Sequence, residues 1–153
     1  MTPLYGLENL RELWVWNVVF EADHAFLDHR PRLHHLGLNL PDGDAWMEGL
    51  SRQTELRMVS LDGDGQRLSP SVFAHASELI SLTLDNLRGL PECLDALVSA
   101  GPPLQELRLY DTDLTDVSII TRLPTLKRFA ISPSEGLDLT PLAAVPGLVV
   151  NPD

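Results

Sequence analysis

The sequence predicts an α/β solenoid: one parallel sheet of about six to seven short strands, with short helices and turns returning behind it. Three observations predict this class. A leucine comb, Leu-x-x-Leu-x-Leu with conservative swaps, begins at Leu10, Leu33, Leu56, Leu79, Leu104 and Leu126, and its first tooth returns at Leu148. The spacings are 23, 23, 23, 25, 22 and 22 residues, and self-similarity at such a period marks stacked repeats. The length of 153 residues, with 44% hydrophobic and 22% charged content, fits a single globular unit spanning the whole chain, 1–153.

Within each repeat, teeth 1, 4 and 6 of the comb point into the core and the residues between them point out, as strand alternation requires. Strands are expected at 10–17, 33–40, 56–63, 79–86, 104–111 and 126–133, with a truncated seventh at 148–151. The returns differ. Residues 21–29 read as a short helix ended by Pro31. Residues 42–53 read as a longer helix with Ala45, Trp46 and Leu50 on one face. Ser69-Pro70 reads as an N-cap followed by proline at the first helical position, leading into Val72 and Phe73. Residues 91–100 repeat that logic, with Gly101 as the stop. The returns at 115–120 and 139–142 are shorter, because a 22-residue period leaves room for little more than one helical turn.

This period and spelling resemble the leucine-rich repeat family, and the resemblance covers nearly the whole chain. The late repeats resemble its short bacterial class, in Leu114-Thr115-Asp116-Val117-Ser118 and then Leu123-Pro124-Thr125-Leu126. The resemblance implies a curved sheet whose concave face binds another molecule. One departure stands out. The family usually closes each strand with asparagine at position nine, and here that position holds Val18, Pro41, Asp64, Leu87, Thr112 and Ser134. Asn17, Asn39 and Asn86 come one or two places early, so serine, threonine and aspartate are expected to substitute locally. Neither end carries a recognisable cap. Residues 1–9, an attached domain or a neighbouring chain is expected to cover the apolar ends.

Charge and cysteine usage narrow the partner. A net charge of −11 argues against nucleic acid, whose phosphates would be repelled. No run of about 18 apolar residues is present, so no membrane span is expected, and no basic-then-apolar leader is visible. Cys93 is the only cysteine, which rules out an internal disulfide and favours a reducing, cytoplasmic setting. Within Pro91-Glu92-Cys93-Leu94 it reads as a small buried hydrophobe. Lys127 is the only lysine, and this arginine bias hints at a GC-rich bacterial genome.

Catalytic and metal chemistry find little footing. Asp62-Gly63-Asp64-Gly65 looks like the start of a calcium loop, but the glycine and glutamate that such a loop needs are Arg67 and Phe73. It reads instead as a turn leaving the third strand. The histidines, His24, His29, His34, His35 and His75, lack chelating spacing and lie far from Cys93. No Gly-x-Ser-x-Gly and no Gly-Lys phosphate loop occur. No enzyme activity, cofactor or metal is expected.

The outward residues carry the candidate site. Comb positions 2, 3, 5, 7 and 8 place five acids on the outer face (Glu12, Asp62, Asp85, Glu106, Asp111) against five bases (Arg11, Arg57, Arg108, Lys127, Arg128). That face is neutral, so the acidity lies on loops and the convex side. Trp14 and Trp16 point out together from the first strand, and Tyr110 sits beside Arg108 on the fifth. Trp, Tyr and Arg dominate interface energetics. The expected function is non-catalytic recognition of a protein partner through the concave face and rim. Trp14, Trp16, Arg108 and Tyr110 are the expected anchors, with His35, Met58, Asp62 and Asp85 between them. Strand spacings of about 4.8 Å and five residues at about 3.3 Å give a sheet of about 490 Å², short of the roughly 800 Å² per partner of a standard interface, so the rim is needed as well. Two other readings are a sensor fragment of a larger bacterial NACHT-type signalling ATPase and a scaffold that stacks end to end.

Overall fold

The computed structural model describes residues 9–16, Leu27, 32–40 and 44–152. Seven strands form one parallel sheet in chain order. They are β1 (Glu12–Val15), β2 (His35–Asn39), β3 (Met58–Arg67), β4 (Ser81–Arg88), β5 (Glu106–Tyr110), β6 (Arg128–Ile131) and β7 (Val149–Pro152). Parallel neighbours cannot be joined by a hairpin, so each pair needs a crossover. The described crossovers are helix α1 (Ala45–Ser51), a 3-10 turn at Pro70–Phe73, helix α2 (Leu90–Ala100), and 3-10 turns at Val117–Arg122 and Thr140–Ala144. The expected first return at 21–29 lies outside the described residues except for Leu27, as do Met1 to Glu8, Asn17, Val18, Pro31, Pro41, Asp42, His24 and His29.

One hydrogen-bond motif sets the register of the entries into β2, β3, β4, β5 and β6. The carbonyls of Arg11, His34, Arg57, Ile80 and Gln105, all at comb position 2, each accept two successive N–H groups from the next strand, at 2.8 to 3.2 Å. Position 4 therefore stacks as Leu13, Leu36, Val59, Leu82, Leu107 and Phe129. These residues are buried, and the returns add Trp46, Met47 and Leu50 from α1 and Leu90, Cys93, Leu94 and Leu97 from α2 to the same core. Each fully buried leucine contributes about 1.5–3 kcal/mol, so the comb supplies most of the driving force. The longer 25-residue spacing after Leu79 is accounted for by α2, the longest return.

Two strands depart from the sequence pattern. The segment Asp62-Gly63-Asp64-Gly65 is a bulge within β3 rather than a turn leaving it. Asp62 pairs with Asp85, and pairing resumes at Gln66 with Leu87, so three residues stand opposite Asn86 alone. Asp64 (φ 46°) and Gly65 (φ 81°) take the left-handed region, which aspartate tolerates and glycine prefers. At β7, Leu148 keeps the turn position of a first tooth, its N–H meeting Val145 O as Leu126 N–H meets Leu123 O. The strand then joins one residue early, with Val149 opposite Arg128 and Val150 opposite Phe129. That slip puts valine rather than Asn151 against the core, and burying an unpaired amide would cost more.

The strand ends are closed by aspartates and one asparagine. Asn39 donates its amide to Asp62 at 2.6 Å. Asp113 reaches back to the preceding repeat, accepting the N–H of Gly89 (2.7 Å) and of Leu90 (3.1 Å) at the start of α2. Asp116 and Asp138 cap their own turns by accepting from Ser118 N (2.8 Å) and Thr140 N (2.9 Å). Ser69 caps the turn at Pro70 as its sequence implies, accepting from Ser71 N, and Gly101 (φ 66°) ends α2 with its N–H on Leu97 O and Val98 O.

Candidate protein-binding face

With the comb and the returns buried on one side, no described element covers the other side of the sheet. Three rows cross it at right angles to the strands. The middle row, position 5, runs Trp14, Gly37, Ser60, Thr83, Arg108, Ala130, Asn151. Position 3 flanks it with Glu12, His35, Met58, Ser81, Glu106, Arg128 and Val149. On the other flank, position 7 brings Asn39, Asp62, Asp85 and Tyr110 together. These rows set seven of the eight candidate residues on one face, and Trp16, just past β1, joins them beside Gly37.

The tryptophans are neither fully packed nor fully free. A Cβ on Gly37 would lie 2.2 Å from Trp14 Cε3 and 2.9 Å from Trp16 Cζ2, so both indoles lie on the bare backbone of β2. Their remaining surface is open, at 45% and 42% exposure. Glycine opposite Trp14 was the available sequence signal for this shelf. His35 Nδ1 stands 3.0 Å from a Glu12 oxygen at its border. Met58 and Ile80 add exposed apolar surface on adjacent strands. Ile80, at position 2, was not among the sequence candidates.

The charges on the face are segregated. Asp62 and Asp85 are directly opposite on adjacent strands, and among the described residues no arginine or lysine forms an ion pair with the carboxylate of either or of Asp111, although Arg88 Nη1 donates to the Asp111 backbone carbonyl. Partial burial, then the carboxylates of Asp62 and Asp111, raise the Asp85 pKa above its ordinary value, against the Asn86 backbone N–H. On the next strand, β5, Glu106 lies between two guanidiniums, with Arg108 Nη2 at 2.6 Å and Arg128 Nε at 3.1 Å from the same oxygen. Partial burial would raise its pKa, but the hydrogen bonds and charges of Arg128 and Arg108 outweigh that and hold it below the ordinary value.

Elsewhere the described surface is chemically quiet. A concavity of about 950 Å³ lies on the return side where α2 meets the shorter turn at Val117–Arg122. Its acids are already engaged, Glu92 by Arg67, Asp95 by Arg122 and Asp116 by Ser118 N–H. Cys93 is fully buried, and burial, reinforced by Glu92, pushes its thiol up to about 12, far from thiolate reactivity. Among the described residues, no group of three or more His, Cys, Asp or Glu is placed to hold a metal ion. No helix among them is long and apolar enough to cross a membrane.

A solenoid of parallel strands, one per leucine comb, with short helical returns, defines the class: a leucine-rich-repeat fold. Among solved structures, an internalin (InlF) of Listeria monocytogenes has the same fold, with a TM-score of 0.61 and 24% sequence identity. The similarity covers 96% of this chain and 42% of the internalin, so this chain spans less than half of that protein. No family model matches the sequence, and no curated protein matches it.

Proposed function

We propose that this chain is a non-catalytic recognition module that binds a protein partner across the open face of its sheet and the adjoining rim. The observation that carries the reading is the aromatic shelf: two indoles held on Gly37 with nearly half of each surface left to solvent. Rigid aromatic area lost to a partner costs little ordering entropy, which is why such residues act as hot spots. Trp14 and Trp16 are the first anchors, Arg108 and Tyr110 the second, and His35, Met58, Asp62 and Asp85 line the space between. The single cysteine fits a reducing, cytoplasmic setting, and the arginine bias fits a bacterial source.

A second reading is a sensor fragment of a larger signalling protein such as a NACHT-type ATPase, to whose attached repeats the stretch from Leu114 to Ile131 is similar. End-to-end stacking draws support from the β7 edge, where Val149 is 54% exposed, and a monomeric mass in solution would dismiss it. The test of the leading reading begins with capture of partners from host lysate, comparing wild type with a folded Trp14→Ala, Trp16→Ala, Tyr110→Ala variant. The captured protein is then purified and titrated calorimetrically. Loss of at least about 2 kcal/mol of binding in the variant supports the face, in line with hot-spot magnitudes. Equal affinity places the partner elsewhere.

A further inference from the structure

At the far end of the open face from the tryptophans is a depression that the sequence did not single out. Position 5 of β6 is Ala130, between Arg108 on β5 and Asn151 on β7. A methyl group there, between long neighbours, leaves a cavity of about 340 Å³, with Glu106, Arg108, Tyr110, Arg128 and Asn151 around it. Glu106 holds both arginines in place, using Nη2 of Arg108 and Nε and Nη2 of Arg128. A guanidinium has five N–H donors, so most of the donors on Arg108 and some on Arg128 remain for a ligand. Two guanidiniums against one carboxylate leave one positive charge unbalanced, on a molecule whose net charge is −11. Arginines already fixed by Glu106 lose little freedom on binding, and their planar forks suit a carboxylate.

We infer that this depression is a carboxylate site: it takes the aspartate or glutamate side chain of a partner segment that crosses the sheet along the position-5 row. The inference rests on the recognition reading above and adds the chemistry of the partner. The row continues past Thr83, Ser60 and Gly37 to the tryptophans, which gives the rest of the segment somewhere to go. A monoanion balances the site, whereas a polyanion would meet Asp62, Asp85 and Asp111 on the flanking rows. From Ala130 to Gly37 is four strand spacings, about 19 Å, which an extended chain covers in about six residues. The segment is therefore one with an acidic residue about six places from an apolar one.

The test uses acetylated, amidated peptides carrying one leucine and one glutamate separated by five glycines or serines, in both orders. Matched peptides carry glutamine or phosphoserine in place of glutamate. Binding to the full chain is followed by NMR up to millimolar peptide at low salt, reading the Ala130 methyl, the arginine Nε–H signals and the indole N–H signals. One glutamate peptide is expected to bind at least tenfold tighter than its glutamine match and to move the Ala130 and Arg128 signals. Ala130→Leu fills the depression without changing charge and is expected to abolish that preference, and Arg128→Gln is expected to reduce it severalfold. Equal binding of glutamate and glutamine peptides, no binding at millimolar concentration, or a preference that survives in Ala130→Leu overturns the site. A tenfold preference for phosphoserine over glutamate overturns the carboxylate assignment. Indole shifts without a glutamate preference sink the site and leave the aromatic face standing. A glutamate preference untouched by Trp14→Ala and Trp16→Ala does the reverse.

Discussion

Asp85 shows how single residues on the open face are held at a cost to the fold. Its directly opposed neighbour is Asp62, and like charges across a strand pair are destabilising by roughly 0.2–1 kcal/mol. Because its folded pKa is raised above the ordinary 3.8, the native state binds this proton more readily than the unfolded chain does. The cost is therefore absent at low pH, grows as pH rises from 3.8 through the folded value, and is constant above it. Asp85→Asn is expected to stabilise the protein by about 0.5 kcal/mol at pH 7 and to lose that gain as pH falls below the carboxylate range. Thermal melts of both proteins across pH 3–7 check this, and an unchanged difference across the range would refute it. Glu106 runs the other way: its lowered pKa gives stability that is present above the ordinary carboxylate value and lost as pH falls through the folded one. Side-chain direction was readable in the sequence for Trp14, Trp16, Asp62, Asp85 and Arg108, since the comb fixes it. That both indoles rest on Gly37, and that Ala130 leaves a hollow, was missed, because each depends on reading a small residue against the neighbouring strand rather than along its own.

Elements are tied together by contacts that local patterning does not reveal. The sequence signals for α2 were Pro91 at its start and Gly101 at its end, and both are in place. Its N-terminal donors, however, are met by Asp113, more than twenty residues on. A carboxylate at that end also complements the helix dipole. Asp113→Ala is expected to cost about 1–2 kcal/mol, the worth of a good N-cap, and Asp113→Asn about half of that. Urea denaturation with an unchanged m-value measures it; a loss below about 0.3 kcal/mol would mean that solvent replaces the cap at no cost. The β3 bulge escaped sequence reading for a related reason. Gly63-Asp64-Gly65 has turn chemistry, but Leu87 packs on Gly63 and Gln66 pairs with Leu87, so the strand continues.

Across the whole molecule, stability follows from stacking each repeat on its neighbours. Teeth in the middle of the array, such as Leu82 and Leu84, are fully buried, whereas Leu148 and Val150 at the last strand are only partly so. Leu84→Ala is expected to cost about 2–5 kcal/mol and Val150→Ala about 1 kcal/mol or less. Native-state hydrogen exchange should show the same gradient, with β4 and β5 amides opening only near global unfolding and β7 amides opening first. Uniform protection from β4 to β7 would mean that the array unfolds as one block. The solenoid itself was legible because its period appears six times over, so a single irregular repeat cannot hide it. The one-residue slip at β7 was hidden because Leu148 obeys the turn while Val150 obeys the core.

The reach of Asp113 has a consequence for how such an array can change over generations. The unit that repeats in the gene and the unit that is complete in space are offset, because the donors that open α2 are answered by a residue of the following repeat. A duplication or deletion with its boundary between residues 101 and 112 leaves Gly89 and Leu90 facing a stranger's side chain. One with its boundary just after Asp113 carries the helix and its lock together. Lineages that gain or lose repeats here are therefore expected to break and rejoin downstream of Asp113, and hybrids joined upstream of it need an acid supplied by the incoming repeat.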